Sequence, residues 1–184
     1  MADADRSPGI RPRPTLGRRL DRAARASFPA SCTVLLMLVA TAPFGLPMQA
    51  VLLPAVALGS VWFWALFRPA ALPPPFVFLL GVLLDLLGYL PLGTGALTLL
   101  VVYAVATRAR RSLAPRRFLA IWLVYAGVAA GAALLDWAIA SALQFRALPV
   151  ASAPFQCVLT IAVYPALSVA FTHARGSVAD PERA

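Results

Sequence analysis

Two carboxylates are the chemistry this sequence offers within its apolar stretches. No charged residue lies between Arg25 and Arg68; Asp85 is the one charge between Arg68 and Arg108, and Asp136 the one between Arg117 and Arg146. An ionised carboxylate in such a setting must be paired, hydrated or protonated. Each Asp is therefore a candidate proton relay, a substrate contact or a hydrogen-bond acceptor that holds helices together. Little else could take part in catalysis. Cys32 and Cys157 fall in separate apolar segments, where a thiol behaves as a small hydrophobe, and His173 stands alone at the end of the last apolar run. The sequence contains no P-loop, no Gly-Xaa-Ser-Xaa-Gly, no HExxH and no pair of metal-spaced Asp, so no enzyme, metal or cofactor is expected.

The elements that position the two Asp follow from how charge is distributed. With 61% hydrophobic and 12% charged residues in 184, the chain has more apolar surface than a soluble fold of this size can hide. A membrane-crossing helix needs about 20 apolar residues. The apolar runs before Arg68 and Arg108 are each long enough for a pair of spans, and the two later runs for one each, which predicts an all-α polytopic membrane protein with six transmembrane helices. The sixteen basic residues are all Arg and flank the apolar runs, a pattern of membrane orientation rather than of nucleic-acid binding. An N-in, C-in topology places fifteen of them on the cytoplasmic side and only Arg146 outside, as the positive-inside rule requires.

Residues 1–27 form an Arg-rich cytoplasmic N-terminus: 1–14 are polar, Pro-rich and expected to be disordered, and an amphipathic segment follows at 15–28. In that segment Leu16, Leu20, Ala23, Ala24 and Phe28 recur at helical spacing, and Arg18, Arg19, Arg22 and Arg25 either meet anionic lipid or serve only to orient the chain. The transmembrane domain spans 28–173, and 174–184 is a cytoplasmic tail. Helix 1 is expected at 28–44 as a retained span: Ala40-Thr41-Ala42 mimics a signal-cleavage site, but Pro43 would follow the cut directly. Pro43, Gly45 and Pro47 mark an outer turn, and helix 2 runs over 48–67 with Trp62, Trp64 and Arg68 as interfacial anchors. Pro73-Pro74-Pro75 leads into helix 3 at 75–90, and Pro91–Gly95 breaks the chain before a short helix 4 at 95–107. An inner loop carries Arg108, Arg110, Arg111, Arg116 and Arg117 as a membrane-surface cluster; helix 5 follows at 118–143, an outer loop at 144–150, and helix 6 at 153–173, kinked by Pro165.

On this topology Asp85 sits near mid-membrane or just beyond it, and Asp136 approaches the outer surface, solvated or paired with Arg146. The offset in depth weakens any reading in which the two Asp share one catalytic centre. Phe78, Gly81, Gly88 and Tyr89 share the helical face of Asp85, and glycines there admit a close neighbour. The expected role of Asp85 is to accept hydrogen bonds from N–H groups of the Pro91–Gly95 break or from the hydroxyls of Thr94 or Thr98, with a proton relay or substrate contact as the alternative. Gly127 and Gly131 form a GxxxG pattern on the face of helix 5 opposite Asp136, suited to close helix contact, within the subunit or beyond it.

The segment Phe76–Leu97, with Gly81, Asp85, Pro91, Leu92, Gly93, Ala96 and Leu97 at matching places, resembles the MreD family of bacterial rod-shape-determining membrane proteins. Length, helix count and cytoplasmic termini agree with that family over about residues 28–173, while the Arg-rich N-terminus is longer than usual for it. The resemblance implies a non-catalytic partner protein of the cell-elongation machinery in the bacterial cytoplasmic (inner) membrane. It implies binding to a single-span MreC-like protein, and work beside RodA, its transpeptidase partner and MreB in support of peptidoglycan synthesis and rod shape. It also implies a fold similar to the substrate-binding subunits of energy-coupling-factor transporters, which makes a vitamin-type transporter subunit the alternative function. Such a subunit is expected to show more polar side chains around a mid-membrane cavity than this chain carries.

Overall fold

In the computed structural model the described residues are 16–42, 49–88, 91–143 and 152–179, with side-chain surroundings described for 29–42, 51–88, 91–143 and 154–173. These residues form six α-helices and no strand: α1 (Leu16–Thr41), α2 (Gln49–Phe67), α3 (Pro74–Gly88), α4 (Thr94–Leu113), α5 (Phe118–Leu143) and α6 (Ser152–Ala179). Within them, Phe118–Leu143 and Pro154–His173 are long and apolar enough to cross a membrane, and Pro29–Thr41, Val51–Phe67 and Pro74–Gly88 are shorter apolar helices. The turn expected at Pro43–Pro47, Tyr89, Arg146 and the rest of the 144–150 loop, the first fifteen residues and 180–184 lie outside the described residues.

The centre of the bundle is α2. It packs against α1, α3, α4 and α6, while α3 pairs with α4, α4 with α5 and α5 with α6. From Ala55 to Leu66 every residue of α2 is buried: a helix that is apolar on all sides needs protein or lipid around it, and here the neighbouring helices surround it. This corrects the reading of Trp62 and Trp64 as interfacial anchors. Both indoles are fully buried: Trp62 lies 5.9 Å from the ring of Tyr125 and Trp64 lies 5.2 Å from Phe171. Tyr125 in turn stacks on Tyr164 at 4.3 Å, so tilted and stacked rings join α2, α5 and α6 in one aromatic core. Gly59 permits the close fit, since a Cβ there would come within 2.8 Å of Leu167 Cδ1.

Several boundaries differ from the sequence expectation, among them the end of α6, which runs to Ala179 instead of stopping at 173 before the expected tail. The helix beginning in the amphipathic segment does not stop near residue 28: α1 continues through Pro29 to Thr41, and the Thr33 hydroxyl donates to the Pro29 carbonyl at 2.8 Å. Arg18, Arg19, Arg22 and Arg25 are thus on the same helix as the apolar half. α4 is 20 residues long, because Arg is a good helix former and no breaker occurs before Pro115. Arg108, Arg110 and Arg111 therefore project from its last turns rather than from a loop, and together with Arg116 and Arg117 they are exposed. Between α2 and α3 a short 3-10 turn, Pro69–Ala71, precedes the prolines, and the Pro73 carbonyl accepts the Phe76 amide at 2.9 Å as α3 begins.

The periphery is apolar. Leu35 and Leu38 on α1, Phe78 and Leu79 on α3, Leu97 and Val101 on α4, Leu123 and Leu134 on α5, and Val158 and Val169 on α6 all point outward.

Candidate functional site

The α3–α4 hairpin is held by the first of the two carboxylates. Asp85 lies in the last turn of α3 and is 1% exposed. The amide of Gly93 donates to its Oδ2 at 2.8 Å and the amide of Gly95 to its Oδ1 at 2.7 Å. These are amides at the start of a helix, which have no partner within it, and a carboxylate placed there satisfies both donors and complements the helix dipole. Gly93 takes φ +98°, in the left-handed region, which lets the chain turn into α4, and the Pro91 carbonyl accepts the Thr94 amide at 3.2 Å across the same turn. Gly95 also has no room for a side chain: a Cβ would fall 2.6 Å from Asp85 Oδ1. Four residues before Asp85, Gly81 faces Ala96, and a Cβ on Gly81 would fall 2.2 Å from the Ala96 Cα.

The expectation that Asp85 takes hydrogen bonds from the Pro91–Gly95 break thus matches the geometry, and the hydroxyls differ from it. Thr98 donates its hydroxyl to Oδ1 of Asp136 on α5, and the hydroxyl of Thr94 is buried with no hydrogen-bond partner. The predicted face of α3 is narrower than helical spacing implied. Gly81 packs against α4, whereas Gly88 is exposed and Phe78 turns outward at 48% exposure. Pro91, Leu92 and Gly93 form an exposed turn, with Leu92 at 72% exposure.

Asp136 is partly buried rather than at an open surface, and its partner is Thr98. Gly95 and Thr98 are three residues apart on α4, about 4.5 Å along the helix axis. The two carboxylates consequently dock on one turn of one helix. This corrects the expected offset between the two, because the α4 residues that hold them, Gly95 and Thr98, lie within one turn of each other. Among the described residues neither carboxylate has a basic partner.

Gly127 and Gly131 are exposed, with open space within 4 Å of a Cβ on either one, so they pack against no neighbour among the described residues. Their stripe faces away from the bundle, as its position opposite Asp136 requires. Cys32 and Cys157 are free thiols. One contact had no place in the sequence reading. Pro165 has no N–H to give the Ile161 carbonyl four residues earlier, and the Trp122 indole on α5 donates to that carbonyl at 3.1 Å. The signal for it was present in Pro165, but which neighbouring donor would arrive was not.

Between α1 and α3 runs an open groove of about 520 Å³, lined by residues that include Leu35, Leu38, Phe76, Leu79 and Leu83, with Ser31 the one hydroxyl in its wall.

Comparison of the chain with family models, with curated proteins and with solved structures finds no match, so its functional reading rests on sequence pattern and geometry.

Proposed function

We propose that this chain is a six-span scaffold protein of the bacterial cytoplasmic membrane, of the MreD type, which acts in cell elongation by binding partner proteins rather than by catalysis. The observation that carries the reading is the use made of Asp85. One of its oxygens accepts the amide of Gly93, in the Pro-Leu-Gly turn that bears the family resemblance, and the other accepts the amide of Gly95 in the first turn of α4, so the carboxylate shapes a helical hairpin and presents the exposed Pro91, Leu92 and Gly93 at its tip. A rigid exposed turn and an open Gly127–Gly131 face suit protein contact.

The apolar periphery supports the membrane reading, since outward Leu, Val and Phe on α1, α3, α4, α5 and α6 are tolerated where lipid is the solvent. The exposed Arg108, Arg110, Arg111, Arg116 and Arg117 lie together at the α4–α5 connection, where anionic lipid or a cytoplasmic partner would meet them. The partners implied are a single-span MreC-like protein and, in a larger complex, RodA, its transpeptidase partner and MreB. A vitamin-type transporter subunit is the competing reading; the apolar lining of the α1–α3 groove offers little to recognise a polar substrate.

Affinity purification of the tagged protein in mild detergent, with mass spectrometry of what remains bound, tests the proposal. Stoichiometric recovery of a single-span protein with a periplasmic domain, lost on substitution around Pro91–Gly93 or Gly127–Gly131, is the expected result. Recovery of an ATPase pair or a bound vitamin-like molecule, without elongation proteins, overturns it.

A further inference from the structure

Three helices line one apolar pocket, and each carries an arginine within three residues of its wall. The pocket has a volume of about 270 Å³, and its walls include Phe63, Phe67, Phe118, Tyr164, Val169 and Thr172, from α2, α5 and α6. Phe63 and Tyr164 are buried at its base, whereas Phe118 and Val169 are half-exposed, so the pocket is open at the periphery of the bundle. It lies where α2 ends at Phe67, where α5 begins at Phe118, and two turns before the end of α6. Arg68 follows Phe67, Arg116 and Arg117 precede Phe118, and α6 reaches Arg175 three residues beyond Thr172. The side chains of Arg68, Arg116 and Arg117 are exposed.

The groove between α1 and α3 lacks this arrangement. Its lining falls within 30–38 and 76–83, and the nearest arginines in sequence, Arg25 and Arg68, are five and eight residues away. An apolar recess and positive charge at one rim together describe the occupant. A partner helix would fill the recess with no need of the charges, and a free anion would meet the charges with no need of the recess. An amphiphile with an anionic head uses both. Arg suits such a head, because its guanidinium pairs with phosphate in bidentate fashion while its stem lies along apolar surface. Basic pockets between membrane helices on the cytoplasmic side recognise anionic phospholipids in this way.

We propose that the pocket between α2, α5 and α6 holds an acyl chain of one anionic phospholipid, whose phosphate is bound at the rim by Arg68 and Arg117. The bound lipid ties together the ends of helices that are far apart in the chain. The site rests on the membrane reading given above and does not depend on the scaffold role.

The test is thermal unfolding of the purified full-length protein in detergent with added phosphatidylglycerol or, at the same concentration, phosphatidylcholine. By mass action on the folded state, phosphatidylglycerol is expected to raise Tm by roughly 5 °C more than phosphatidylcholine does. Arg68→Gln combined with Arg117→Gln should abolish that difference. Val169→Trp, which fills the pocket and keeps both charges, should abolish it too. Arg110→Gln combined with Arg111→Gln removes the same charge from α4, which lines no part of the pocket, and should retain it. All five positions are exposed, so Tm in phosphatidylcholine reports that each variant folds. An equal loss in both Arg pairs means general surface attraction and overturns the site. The same rise with glycerol phosphate means a free anion, and a Tm that follows protein concentration instead of lipid means a second copy; either overturns it as well. Release of the chain from membranes by alkaline carbonate overturns the membrane reading and the site with it, whereas retention with no response to phosphatidylglycerol overturns the site alone.

Discussion

Gly81 and Ala96 bring the backbones of α3 and α4 into direct contact: a Cβ on Gly81 would lie 2.2 Å from the Ala96 Cα and 2.7 Å from its nitrogen. The obstacle is backbone, which cannot rotate aside, so even Gly81→Ala must push the two helices apart. We expect it to cost about 2–3 kcal/mol, in the range of overpacked cores. Thermal unfolding in detergent checks this, with Gly127→Ala as the control; a Cβ at Gly127 meets open space, so Ala there should not lower Tm and, by helix propensity, should raise it slightly.

Separation of the two helices would also disturb the clamp at their tip. In Asp85→Asn one of the two acceptor oxygens becomes an amide donor that faces the N–H of Gly93 or Gly95. Loss of a charge-assisted bond and creation of a donor–donor contact should cost about 2–3 kcal/mol. Hydrogen exchange at the Gly93 and Gly95 amides should quicken relative to mid-helix amides of α5; unchanged protection would show that these amides do not depend on the carboxylate.

The Trp122–Ile161 contact predicts a non-additive pair. Trp122→Phe removes the donor and leaves a carbonyl unpaired beside Pro165, at a cost of about 1–2 kcal/mol. Pro165→Ala restores a backbone N–H to that carbonyl, so the same Trp122→Phe change should cost less in the Pro165→Ala background. A double-mutant cycle measures the difference; strict additivity would mean that the indole contributes through packing alone.

The outward face of α5 separates stability from assembly. Gly127→Leu together with Gly131→Leu places bulk where nothing stands within 4 Å of either position, so the isolated protein should unfold at or above the wild-type temperature. If this face binds a partner helix, the recovered complex should fall several-fold in co-purification while expression is unchanged. Equal recovery would move the contact to another face.

Much of the hairpin was legible in the sequence, because its signals are local. Pro91 and Gly93 are poor helix residues that announce a turn, and a lone Asp a few residues before a turn rich in unpaired amides has an evident use. Helix ends governed by distant support were less legible. Arg108, Arg110 and Arg111 read as loop because charge implies the end of a membrane span, yet they continue α4 for lack of a breaker. Likewise Trp62 and Trp64 stand near the end of an apolar run beside Arg68, a position that suits an interface as well as a core.

By itself the sequence determined that the described chain is helical, that Pro91 and Gly93 interrupt it, and that Asp85 would turn to the break before α4. Each of these follows from neighbours within about a dozen residues. Only the tertiary structure decided that α2 lies at the centre, that Trp122 serves the carbonyl freed by Pro165, and that Thr98 reaches Asp136 so that both carboxylates share one turn of α4. The physical reason is the uniformity of the apolar helices. A helix such as α2, apolar on all sides, has no polar face to show which way it points, so its neighbours are chosen by shape and by single polar contacts between residues far apart in the chain.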